Sequence, residues 1–137
     1  MSPNAQKRKG SDWERELVKI LNKAIQNGTF KRVPGSGAMG TYLEEPALYS
    51  DIKGKVIGLE KPIKIEAKVG YGGSKQLTLK KEWLDKIALE ASRTYSIPFL
   101  IGRFSGSRSG VENFVVMDLQ IFIDLMNTIS DLSGLDK

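Results

Sequence analysis

Ile63-Lys64-Ile65-Glu66-Ala67-Lys68-Val69 is the stretch on which the fold turns. Apolar and charged side chains alternate with period two, the pattern of a β-strand. A strand over Pro62 to Val69 places Ile63, Ile65, Ala67 and Val69 on one face and Lys64, Glu66 and Lys68 on the other. Glu66 and Lys68 then stand side by side, about 7 Å apart along the strand. A sheet with one face in water produces the same alternation, so the charged face reads first as a solvated one.

The neighbouring segments frame this strand. Upstream, a strand over Leu48 to Ile57, interrupted at Lys53-Gly54, carries Asp51, 15 residues before Glu66. That separation suits two strands of one hairpin, with Asp51 facing Glu66. Two close carboxylates repel unless a cation lies between them. Mg²⁺ is commonly held by one or two carboxylates, water and phosphate, and a lysine beside it can stabilise developing charge. A turn aspartate beside Lys53-Gly54 is the plainer alternative. Further upstream, Thr29 to Val33 reads as a strand broken by Pro34-Gly35-Ser36-Gly37, with a loop to about Pro46. The glycines and Ser36 there could cradle a phosphate beside Arg32, or form a simple turn.

A first helix is expected from Ser11 or Asp12 to about Gln26, ended by Asn27-Gly28. Glu14 lies about 100° round this helix from Trp13, inside the apolar arc of Leu17, Leu21 and Ile25. An unpartnered charge facing a core is costly, so a metal or a basic residue such as Arg15 or Lys68 would account for it. The first helical turn also favours acids through the helix dipole. Downstream come a glycine-rich loop from Gly70, a helix over Leu79 to Ser92, strands over Ile97 to Phe104 and Glu112 to Met117, and a helix over Asp118 to Ile129. The order α-β-β-β-α-β-β-α, without repeats, predicts one α/β domain on a mixed central sheet flanked by helices. The expected organisation is a flexible basic arm over 1–9, a body over 10–129 and an acidic tail over 130–137.

Composition narrows the chemistry. The 137 residues suit one domain and contain no Cys and no His. Disulfides, Cys/His zinc sites, thiol nucleophiles and His-dependent triads are excluded. Catalysis must run on carboxylates, Lys, Ser or Tyr, with a hard cation on oxygen ligands if a metal is used. The net charge is +5, but Glu112 to Lys137 carries −4, so the first 111 residues carry +9. A basic body points to a polyanionic partner, nucleic acid foremost. Lys7, Arg8, Lys9, Arg15, Lys31, Arg32 and Lys75 are candidate phosphate contacts, with Arg103 and Arg108 as additions. No apolar run approaches the roughly 20 residues of a membrane span. The expectation is a cytoplasmic protein, in the host cytoplasm if viral.

Four motifs in order resemble the archaeal-type Holliday junction resolvases, a branch of the P-D…(D/E)-x-K nuclease superfamily. They are Lys9-Gly10-Ser11-Asp12-Trp13-Glu14-Arg15-Glu16-Leu17, Arg32-Val33-Pro34-Gly35-Ser36-Gly37, Ser50-Asp51-Ile52 and Ile65-Glu66-Ala67-Lys68. Ser50 stands where the motif name has proline, and the segment from Ala38 to Tyr49 is longer than the family's usual connection. The resemblance implies a restriction-endonuclease-like fold and a homodimer. It implies a Mg²⁺ site, with Mn²⁺ as substitute, on Glu14, Asp51, Glu66 and the Ala67 carbonyl, with Lys68 as catalytic lysine. It also implies phosphate contacts from Arg15, Arg32 and Ser36, and paired nicks in four-way DNA junctions that leave 5′-phosphates. The alternatives are a relative cutting duplex, flap or single-stranded DNA, and a non-catalytic nucleic-acid-binding module. The last helix bears an apolar arc of about 200°, wider than the roughly 100° stripe that covers one core. Phe122 and Met126 on that arc are the expected dimer contacts, unless the tail or last strand folds over them.

Overall fold

The computed structural model describes residues 3–33, 51–70, 75–106 and 109–134, with side chains from residue 8 onward. The expectations for Lys7's side chain, Ser36, the 38–49 segment, the 71–74 loop and Arg108 lie outside the described residues. Helix α1 covers Pro3–Ala24, and strands β1 (Gly28–Arg32), β2 (Ile52–Val56) and β3 (Ile63–Val69) follow. Helix α2 (Lys81–Arg93), β4 (Ile97–Arg103), β5 (Asn113–Val116) and helix α3 (Leu119–Ser133) complete the chain. The described residues thus form one α/β domain in the expected order.

Spatial order in the sheet is β1-β2-β3-β4-β5. The β1–β2, β2–β3 and β4–β5 pairs are antiparallel, while β3 and β4 are parallel. A parallel pair needs a long crossover, and α2 supplies it. Helix α1 packs its apolar stripe on one sheet face, where Trp13 and Leu17 join Phe30, Ile52, Ile63, Ile65 and Ile101 in the core. Helix α2 buries Ile87 and Ala91, and its crossover position covers the other face. The central strand β3 is therefore covered on both sides.

Several expected boundaries move. Helix α1 begins at Pro3 instead of Ser11 or Asp12, so residues 3–9, expected as a flexible arm, are helical. Proline suits a first helical position because its missing N–H has no partner there anyway. Gly54 does not interrupt β2: it pairs with Phe30 on β1 and Ile63 on β3. A Cβ on Gly54 would overlap the Phe30 ring, so glycine admits the aromatic side chain across the strands. Helix α3 runs to Ser133 and ends on Gly134 at φ 70°, so the expected tail from Ser130 begins helical. At its start, the Gln120 N–H donates to Asp118 Oδ1 at 2.7 Å, the usual N-cap bond.

The sheet edge is closed by a side chain. The Phe30 N–H donates to Asn22 Oδ1 at 2.8 Å, and Asn22 Nδ2 donates to the Phe30 carbonyl at 2.9 Å. The carboxamide thus imitates a neighbouring strand and ties β1 to α1. Among the described residues, no helix is long and apolar enough to cross a membrane.

Candidate active site

The hairpin β2–β3 and the middle of α1 bring the expected acids towards one end of the sheet, so Glu14 is not the first-turn acid that the helix dipole would favour. Register pairs Ile52 with Ile65 and Lys53 with Lys64. Asp51, just before β2, is therefore level with Glu66. Its Oδ2 accepts the Ala67 N–H at 2.9 Å, which pins the carboxylate against β3. Lys68 Nζ lies 3.6 Å from Glu66 Oε1. The grouping of Glu66 with Lys68, expected from strand alternation, and of Asp51 with Glu66, expected from hairpin spacing, is present.

The charged face of β3 is not solvated, in contrast to the plain reading of the alternation. Lys64 is 5% and Glu66 8% exposed. The α2 crossover supplies the cover, and crossovers are not visible in strand periodicity. Burial, then the Asp51 charge, pushes the Glu66 carboxyl up to about 7; Lys86 and Lys68 act in the opposite direction. Glu14 is also raised, by burial first and Asp51 second, against the pull of Arg32. Asp51 thus acts electrostatically on both other acids. Arg32 Nε and Nη2 each lie 3.4 Å from Glu14 Oε1. The basic partner of the inward-facing Glu14 is Arg32, where Arg15 or Lys68 was expected, and a guanidinium so engaged is not directed solely at substrate phosphate.

Among the described residues, no three acids close into a metal-holding group. Asp51 and Glu66 form the near pair, while Glu14 leans to Arg32. Two close carboxylates are the donor set that a hard divalent cation relieves, and Mg²⁺ needs only one or two. The residues present fit such an ion.

The expected phosphate contacts divide in two. Arg8, Arg15, Lys31 and Lys75 are exposed, and Lys9 is half-buried. Arg15 meets Asp12 at 3.2 Å across an open surface, a pair too solvated to restrain it. Arg103 is committed elsewhere. It contacts Glu16 at 2.6 Å and Asn113 at 2.8 Å, and its guanidinium carbon lies 4.1 Å from the Trp13 ring centroid. It latches α1 to β4 and β5 and is not a phosphate contact. Arg103→Ala is expected to lower stability by about 1–2 kcal/mol in urea titration, with the salt dependence of DNA binding unchanged.

Helix α2 contributes residues that were not among the expected site residues. Lys68 Nζ lies 4.4 Å from the Trp83 ring centroid. Lys86 acts on Glu66 and pairs with Glu90 at 3.6 Å. Trp83, Lys86 and Glu90 are spaced by three and four, hence share one helix face. That mixed stripe was the available signal; only the fold shows that it meets β3.

Comparison with known proteins agrees with this geometry. Residues 5–133 match the family of phage PDDEXK endonucleases. No curated protein matches the chain. Among solved structures, the chain is similar to Hjc of Archaeoglobus fulgidus, a Holliday junction resolvase from an archaeal hyperthermophile. Identity is 17%, coverage 84% of this chain and 88% of that one, and the TM-score 0.50. The five-stranded mixed sheet with its flanking helices is thus the restriction-endonuclease-like fold. With the family matched over nearly its whole length, this chain belongs to the phage PDDEXK endonucleases.

Proposed function

We propose that the protein is a metal-dependent, structure-selective DNA endonuclease that resolves four-way junctions by paired symmetric nicks. The carrying observation is the hairpin site, with Asp51 pinned to the Ala67 N–H and Glu66 facing Lys68 at 3.6 Å. Two acids facing a phosphate would repel it without an intervening cation, so a purely binding role leaves them unexplained.

Asp51, Glu66 and the Ala67 carbonyl would hold Mg²⁺ or Mn²⁺, with Glu14 supporting the site directly or through water. Such an ion supplies Lewis-acid polarisation and a more acidic water. Lys68 orients the attacking water and offsets negative charge on the phosphoryl oxygens. Trp83 packs over the Lys68 ammonium and restricts where it can point. Attack of water on phosphorus in line with the 3′ oxygen forms a P–O bond as the O3′–P bond breaks, and the departing 3′ oxygen takes a proton, which gives a 5′-phosphate and a 3′-hydroxyl. Arg8, Lys9, Arg15, Lys31 and Lys75 would position the substrate through its backbone, without reading sequence.

Two symmetric nicks need two active sites, and one site per chain implies a homodimer. Helix α3 supports that reading. None of its residues is buried, and Leu119, Phe122, Ile123, Met126, Ile129 and Leu132 are exposed. A contiguous apolar face of this kind marks an interaction surface. Phe122→Glu or Met126→Glu is expected to convert dimer to monomer in sedimentation and to uncouple the two nicks. A monomeric unmutated protein with full junction resolution would remove this part of the proposal.

The deciding experiment incubates the protein with a labelled immobile four-way junction and a matched linear duplex, with and without Mg²⁺. Mg²⁺-dependent cutting confined to the junction is the expected result. Equal cutting of the duplex would assign a different substrate to the same nuclease site.

A further inference from the structure

We propose that the face of β1 and β2 opposite α1, up to the border of the α2 cover over β3, is a phosphate track for a DNA strand, with Lys31 and Lys53 as its cations and Lys64 at its inner border. The inference rests on the nuclease reading and extends it to a second stretch of substrate. Register sets Lys31 opposite Lys53 and Lys53 opposite Lys64. Directly opposed residues share a face, and strands lie about 4.8 Å apart, so three lysines stand in a row about 10 Å long.

Ordinary roles for lysine do not explain the row. Lysine on an edge strand discourages sheet-to-sheet pairing, which accounts for Lys31 alone. Lys53 and Lys64 are on interior strands, and Lys64 is only 5% exposed. Like charges set directly opposite are unfavourable in a ladder unless something offsets them. Glu90 of α2 acts on Lys64. Among the described residues, no ion pair engages Lys31 or Lys53.

The three lysines border a pocket of about 400 Å³ that also takes in Thr29, Thr94 and Ser96. Thr94 Oγ1 and Ser96 Oγ lie 2.9 Å apart and also donate to backbone carbonyls at the end of α2, so the anion-attracting groups at this pocket are the ammonium groups. Ammonium groups are complementary to phosphate oxygens. Lys64 precedes Glu66 by two residues on the same strand and face, so the row leads away from the catalytic hairpin. A strand cut at Glu66 and Lys68 has its neighbouring phosphates within reach of the row. These contacts would position the strand and read no sequence.

The test is a salt series of DNA binding in EDTA, where no cutting occurs, using a labelled junction and a labelled single strand. For Lys31→Ala/Lys53→Ala, the slope of log K against log salt is expected to fall by nearly two on duplex arms, about 0.9 per lost contact. Lys19→Ala/Lys23→Ala, on the exposed side of α1, should leave the slope unchanged. An unchanged slope in the first double variant would overturn the track, and Mg²⁺-dependent cutting by the unmutated protein would show that the nuclease reading survives. Saturable binding of inorganic phosphate lost in the double variant, with the DNA slope unchanged, would assign the pocket to a small anion and also overturn the track. Failure of the unmutated protein to bind or cut any DNA would remove the nuclease reading and this inference together.

Discussion

Glu66→Gln or Asp51→Asn should reduce DNA cleavage by about 10³-fold or more, with junction binding retained or tightened. The asymmetry follows from charge. Each substitution removes a negative group from a surface that must approach phosphate, so attraction to DNA does not weaken. Each also removes an oxygen ligand that Mg²⁺ would use. Asp51→Asn changes the acceptor that holds the Ala67 N–H only from carboxylate to amide oxygen, so the hairpin should persist. Gel-shift and cleavage assays on the same preparation separate the two effects. Unmutated cleavage rates in either variant would refute the assignment.

The buried state of Glu66 makes stability depend on pH in a defined direction. Its carboxyl is raised from 4.5 to about 7 by burial and the Asp51 charge. Between those values the folded chain holds a proton that the unfolded chain has lost. Stability therefore falls as pH rises from about 4.5 to about 7, and the loss then stays constant, reaching at most about 3 kcal/mol. In EDTA, Glu66→Gln should be more stable than the unmutated protein at pH 8 and equal to it near pH 4. A divalent cation competes with that proton, so stabilisation by Mg²⁺ should grow as pH passes through 7. Thermal melts at several pH values, with EDTA and with Mg²⁺, check both signs. A Glu66→Gln variant less stable than the parent at pH 8 in EDTA would contradict the buried, repelled carboxylate.

The dimer expectation shows how local and global information divide. Helical spacing alone made the apolar arc of α3 too wide for one core, and the helix indeed buries none of its residues. The intended use of Arg103 shows the reverse. A cation in a glycine- and serine-rich stretch resembled a phosphate contact, yet its partners Glu16 and Asn113 come from a helix 87 residues upstream and a strand ten residues downstream. Long-range partners of that kind leave no mark on local sequence pattern.

By itself, the sequence determined the order of elements, the single α/β domain, and the shared face of Glu66 and Lys68. These follow from period two and from helical spacing, which are properties of neighbouring residues. It also singled out Glu14 as an inward charge, because one acid in an apolar arc is a local anomaly. Tertiary structure alone decided the rest. The α2 crossover buried Lys64 and Glu66 on a face that alternation makes polar, and it brought Trp83 and Lys86 over the site. The β2–β3 register carried Asp51 to the Ala67 N–H and lined Lys31, Lys53 and Lys64 across three strands. Register, cover and partner choice depend on how distant segments meet, and no local pattern encodes them.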